Sequence, residues 1–175
     1  MLNNVDYALR EFAKYIVKQS RSNLTKGKKN VSKSLYDSIS FNQVEQTEKG
    51  FLLTILMEDY GIFQDQGVRG AGGTRKTTSN FKKTNNKGKI WKQKGGNSPF
   101  SFKEGNKPSV KHFEAWSRSK GLNAFAVRES VFRQGIKPSM FFTKPFEKAF
   151  ENLPNQLVEA FGLDMQDLLQ FKTSK

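Results

Sequence analysis

Three places in this sequence hold residue types that could do chemistry. Glu58, Asp59 and Asp65 form an acidic group beside a hydrophobic run, with Asp59 and Asp65 flanking one expected turn. Magnesium sites use one or two carboxylates with substrate oxygens. The sequence places no third acid or lysine beside this group, and acids at a strand end commonly serve as caps or solvated charges. The second place is GAGGTRKT at 70–77, which follows the same run in the sequence. A phosphate loop needs a glycine immediately before its Lys-Thr pair, so that backbone amides can wrap the phosphates. Arg75 stands there instead, ahead of Lys76 and Thr77, and the TTSNFKKTNN that follows has no helical period. A flexible glycine loop accounts for it better. The third is His112, the one histidine, which follows Lys111 on an expected helix with no nucleophile beside it. It reads as a surface or packing residue. No catalytic residue, cofactor site or metal site is assigned, and the chain reads as a non-enzyme.

Charge is the stronger signal. Residues 69–111 hold twelve Lys and Arg against one acid, Glu104, a local net charge of +11 in a chain of +14. Such a block attracts polyanions, either nucleic acid or an acidic protein face. The candidate contacts are Arg75, Lys76, Lys82, Lys83, Lys87, Lys89, Lys92 and Lys94, interleaved with Phe81 and Trp91. Phosphate neutralisation with base stacking is the chemistry this mixture suits. No zinc-finger, RRM or KH signature is present, so contact would be with nucleic-acid backbone and independent of sequence.

The elements that must carry this block are those of one modest domain spanning residues 1–175, with 69–107 as a basic insertion. Sixteen Phe residues supply much of the expected core. The absence of cysteine excludes disulfides and thiolate metal sites and suits a reducing cytoplasm. No apolar run reaches the ~20 residues of a membrane helix, so no membrane partner is expected. The expected fold class is α+β, a small antiparallel sheet packed with several helices and carrying a long basic loop or hairpin.

Val5, Leu9, Phe12 and Ile16 predict an amphipathic helix over 4–18, capped by Asn3 or Asn4, with Asp6 in its first turn. Residues 21–30 read as a polar connector, and a short helical pattern follows at Val31 and Leu35. A strand after Ile39 and Phe41 and the stronger FLLTILM at 51–57 form an antiparallel hairpin around TEKG. Apolar residues on both faces of FLLTILM predict cover on each side, by helices or another subunit. Tyr60 and Phe63 fit one helical turn, ending at Gly67. Within the insertion, KIWKQ and PFSFK suggest a weak hairpin around GGN at 95–97. Three helices follow: one from Pro108-Ser109 to Gly121, one capped by Asn123 and ending at Gly135, and one from Thr143 with Pro145 in its first turn. Pro154 starts a last helix, interrupted at Gly162.

The order of these elements resembles the tail-completion or neck proteins of tailed bacteriophages. The resemblance rests on Leu35, Ser38 and Ile39; on Tyr60, Phe63, Asp65 and Gly67; on Gly135, Pro138, Phe142 and Pro145; and on the helix-loop-helix AWSRSKGLNAFAVRESVFRQG. It covers most of the chain outside the insertion, and its motifs are short. It implies a virion protein of the tail or neck, assembled in the host cytoplasm as a ring, often hexameric. Such a subunit joins the head connector to the tail and lines or seals the DNA channel. Its partners would be copies of itself, portal or connector, stopper or tail-tube proteins, with backbone contact to viral DNA. Tyr60, Phe63, Trp91 and Phe142 are the assembly candidates. The lysine-rich insertion departs from the family pattern. The rival expectation is a nucleic-acid-binding accessory protein without sequence preference.

Overall fold

The N-terminal apolar stripe continues past residue 18. In the computed structural model, which describes residues 2–27, 33–48, 50–72 and 92–173, helix α1 spans Asn3–Lys26. The stripe extends because Ser20 and Leu24 continue the i, i+4 spacing, and both are buried. The first part of the expected polar connector is therefore helix. The chain divides into two compact units, residues 1–58 with 141–175 and residues 59–140. We call them the terminal and the central unit.

In the terminal unit, α1 packs against α6 (Thr143–Phe150) and α7 (Leu153–Thr173). Val5, Leu9, Phe12 and Ile16 meet Leu153 and Ala160 of α7 in one core cluster. Phe142, Phe146 and Phe150 recur every fourth residue and stack in sequence at 5.8 and 5.7 Å, with Phe12 set edge-on against Phe146. A second cluster joins Leu24, Leu35 of the short helix α2 (Ser34–Ser38), Ile39 and Phe141.

The expected hairpin is present but split. Strand β1 (Ser40–Phe41) pairs antiparallel with β4 (Ile55–Leu56), and β2 (Glu45–Thr47) with β3 (Gly50–Leu52). Three residues, 42–44, stand opposite two, 53–54, so a bulge interrupts the ladder between the two pairs. Alternation survives it: Phe51, Leu53 and Ile55 all pack against the first core cluster. On the other face Leu52 and Leu56 are both exposed among the described residues. Within the terminal unit the core cluster thus covers one of the two faces.

No Asn side chain caps α1, and Asp6 pairs with Arg10 instead. The cap arrives from α7. Asp164, only 3% exposed, accepts hydrogen bonds from the backbone N–H of Asn4 (2.9 Å) and Val5 (3.0 Å) and from Asn4 Nδ2 (2.9 Å). A carboxylate at a helix N-terminus satisfies free amides and meets the positive end of the helix dipole. Removal from water opposes ionisation of Asp164, but the amide hydrogen bonds from Asn4 and Val5 outweigh it and hold the carboxyl below its ordinary value. This stabilisation is present above the ordinary carboxylate pKa and is lost as pH falls through the depressed one. The protection of the Asn4 and Val5 amides, corrected for the intrinsic pH dependence of exchange, should therefore fall on acidification through that range. In Asp164→Asn protection should already be lower at neutral pH and change little with acid. Equal protection in the variant at every pH would show that the cap contributes nothing.

The central unit contains α3 (Gly61–Gln66), β5 (Val68–Arg69), α4 (Lys111–Ser119), α5 (Ala124–Gln134) and β6 (Gly135–Ile136). Asn123 caps α5 as expected, its Oδ1 accepting from the backbone N–H of Phe125 and Ala126. β5 and β6 pair antiparallel. Phe132, fully buried, packs beside Phe102 at 5.9 Å, and Phe63 meets Phe100 edge-on at 4.8 Å. The described part of the PFSFK stretch pairs with Arg69, through hydrogen bonds from Arg69 N–H to Phe100 O and from Phe102 N–H to Arg69 O. Residues 89–91 of KIWKQ, the other arm of the hairpin expected around 95–97, lie outside the described residues. α7 runs unbroken through Gly162. The sum of these elements is a small α+β fold, as its pattern of helices and short antiparallel pairs predicts.

Candidate interaction surfaces

Charge is divided sharply between the two units. Residues 59–140 hold seventeen Lys and Arg against five acids, so the central unit carries +12 of the chain's +14. Of the residues named as polyanion contacts, Arg75, Lys76, Lys82, Lys83, Lys87 and Lys89 lie outside the described residues, as does Trp91. Lys92 and Lys94 are exposed on the segment that returns from this stretch.

What the structure does give is the base from which residues 73–91 depart. The outgoing side is tied to the end of α5: Ala71 N–H donates to Phe132 O (2.8 Å) and Gly72 N–H to Arg133 O (3.0 Å). The returning side is tied to the same turn, Lys94 N–H donating to Gln134 O (2.7 Å). Gln93 joins the two, accepting from Gly70 N–H at Oε1 (2.9 Å) and donating from Nε2 to Arg133 O (2.9 Å). Ser98, buried, donates its hydroxyl to Gly67 O (2.7 Å). Three glycines permit this close stitching. A Cβ on Gly70 would strike Arg133 O, and one on Gly95 or Gly135 would strike Val68 O. Both ends of the basic segment thus emerge side by side from a fixed platform.

The same bonds bear on the first three residues of GAGGTRKT, the rest of which lies outside the described residues. Gly70, Ala71 and Gly72 already donate their amides to protein acceptors. A phosphate cradle needs those groups free. Asp65 is buried on α3, and among the described residues no three Asp, Glu or His side chains are gathered to hold a metal ion. His112 is exposed on α4.

Of the assembly candidates, Tyr60 is exposed at the start of α3, and Phe63 is partly covered by Phe100. Phe142 is occupied within the terminal unit, packed against both core clusters. A larger apolar surface lies on α7. Its inner face buries Leu153, Ala160 and Asp164, yet Val158 (74% exposed), Phe161, Met165, Leu168 and Leu169 (61%) form a second stripe in the open. Val158, Phe161, Met165 and Leu168 follow the 3-4-3 spacing that seats one helix against another. Gly162 lies along this stripe with nothing within 4 Å of a Cβ built on it, so no contact among the described residues explains a residue that weakens helices. An open apolar groove of about 350 Å³ between Phe51, Leu157 and Phe161 continues the surface toward β3. Sequence reading finds these residues as one helical pattern. It misses that the helix has two apolar faces and that the described residues bury only one of them.

No family model, curated protein or solved structure matches this chain.

Proposed function

We propose that this chain is a structural virion protein of a tailed phage, a ring-forming neck or tail-completion subunit that joins the head connector to the tail. The observation that carries this reading is the second apolar stripe of α7, which with Leu52 and Leu56 leaves the terminal unit with more uncovered apolar surface than a solitary subunit needs. The matched motif halves also meet in the fold. Gly67 closes the Tyr60–Gly67 turn, Gly135 opens the later motif, and β5 pairs with β6 immediately after them. A side chain at Gly67 would come within 2.6 Å of Ile136 O and 2.8 Å of Pro138. In this reading the platform at 67–72 and 92–102 presents residues 73–91 as a basic arm to a neighbouring subunit or to the passing DNA.

The test separates the arm from its platform. Residues 92–102 are built into the central unit, so the informative deletion removes 73–91 and bridges Gly72 to Lys92 with a short glycine linker. The unmodified chain should form ring-sized oligomers in native mass spectrometry, alone or with a tail partner. The deletion variant should keep its thermal midpoint but fail to join heads to tails. A strict monomer under all conditions counts against the ring, and normal joining without 73–91 counts against the arm.

A second reading, a nucleic-acid-binding accessory protein, is favoured by the +12 charge of the central unit. It predicts duplex binding that weakens steeply with salt and collapses when the lysines at 82–94 become Gln.

A further inference from the structure

The second half of α1 carries a site that neither the basic insertion nor the α7 stripe accounts for. From Lys14 to Lys26 the helix holds Lys14, Lys18, Arg21 and Lys26 and no acid. These fall along one side of an open groove of about 560 Å³, whose opposite wall includes Tyr36 and Phe41. That volume lies within the roughly 300–1,000 Å³ of ligand-sized pockets. Arg21 is fixed in place: its Nη2 donates to Ile39 O (2.9 Å), and its guanidinium lies 5.2 Å from the centroid of the Tyr36 ring. Its Nε is enclosed and makes no hydrogen bond among the described residues. Lys18 and Lys26 are exposed and form no ion pair among the described residues, whereas Lys14 is held by Glu11 at 2.7 Å.

The ordinary explanation for cations on a helix is complementation of the C-terminal dipole, an effect confined to the last turn. It covers Lys26. It does not cover Lys18 or Lys14, which lie two or more turns earlier. Mere solubility would not set the cations opposite two half-buried rings. We propose that this groove binds a single-stranded nucleic-acid segment, its phosphates along Lys14, Lys18 and Lys26 and a base stacked on the Arg21–Tyr36 pair or against Phe41. Twelve residues of helix from Lys14 to Lys26 span about 18 Å, enough to follow several successive phosphates of an extended strand. Cations alone would suit an acidic peptide equally. The rings decide for nucleic acid, because every base offers a face for stacking. This site is independent of the ring reading and lies wholly within the terminal unit.

The experiment uses the full chain with the six lysines between 82 and 94 changed to Gln, so that the basic segment does not dominate. The probe is a short fluorescein-labelled oligothymidylate, read by anisotropy across a salt series. Lys18→Glu with Lys26→Glu should raise Kd at least tenfold and lower the slope of log K against log salt by about 1.4. Tyr36→Leu removes the ring but keeps an apolar side chain and should weaken binding by roughly five- to fifty-fold, while Tyr36→Phe should bind as the parent does. An unchanged Kd in the charge-reversed variant overturns the proposal. So does equal or tighter binding of an oligoglutamate of the same charge, which would make the groove a dock for an acidic protein.

Discussion

Gly135→Ala should be the most damaging small substitution in the central unit, removing about 3 kcal/mol or more of its stability. Two effects act together. Gly135 has φ +84°, a backbone conformation that costs an L-residue about 1 kcal/mol or more. The added Cβ would also run into Val68 O and come within 2.6 Å of Gly70 N. Both obstacles are backbone atoms, of β5 and of the residue that follows it, so no side-chain rotation relieves them. The strands must separate, and the hydrogen bonds from Ala71 and Gly72 to Phe132 and Arg133 would weaken with them. Gly96→Ala is the control. It too has positive φ, at +44°, but nothing lies within 4 Å of its Cβ, so it should lose only about 1 kcal/mol. Chemical denaturation of both variants, with amide exchange at Ala71 and Gly72, checks the contrast. Equal losses would show that backbone strain acts alone and the close packing does not matter.

That platform explains which parts of the fold the sequence could reveal. Local rules were enough for α5, where Asn123 supplies the cap and Gly135 the exit, and for the phenylalanines spaced by four that lead through α6. They were enough for the inward face of FLLTILM, because alternation survives the bulge. They failed where a residue's partner is distant in the chain. Asp164 caps α1 from some 160 positions away, and in sequence it is only an acid on an apolar helix. Gly70, Gly95 and Gly135 look like loop punctuation, yet each is required by a backbone atom on another segment. α1 looked shorter than it is because Ser20 occupies a core position and RSNLTK reads as polar. The groove beside it was hidden for the same reason: four cations spaced along a helix become a site only once α2 and β1 bring Tyr36 and Phe41 opposite them.

Under the proposed ring reading, Val158→Glu with Leu169→Glu should convert ring-sized assemblies to monomers without lowering the thermal midpoint of the chain. The two positions are eleven residues apart, about three turns, so they fall on one line of α7, and they are 74% and 61% exposed. Exposed substitutions of this kind change stability by about 0.5 kcal/mol or less, and glutamate is a better helix former than valine. In an assembly the balance reverses. Burying two such side chains contributes about 3 kcal/mol per interface, and two charges placed there without partners cost more than that gain. A loss of 3 kcal/mol already raises the dissociation constant of each contact more than a hundredfold, and a closed ring depends on every contact at once. Sedimentation velocity with a parallel thermal melt reads both halves of the prediction. Monomers with an unchanged melt place the second stripe of α7 at the contact between subunits. Intact rings would move that contact elsewhere and leave the stripe to a different partner, and monomers with a lowered melt would mean that the stripe serves the fold of its own chain.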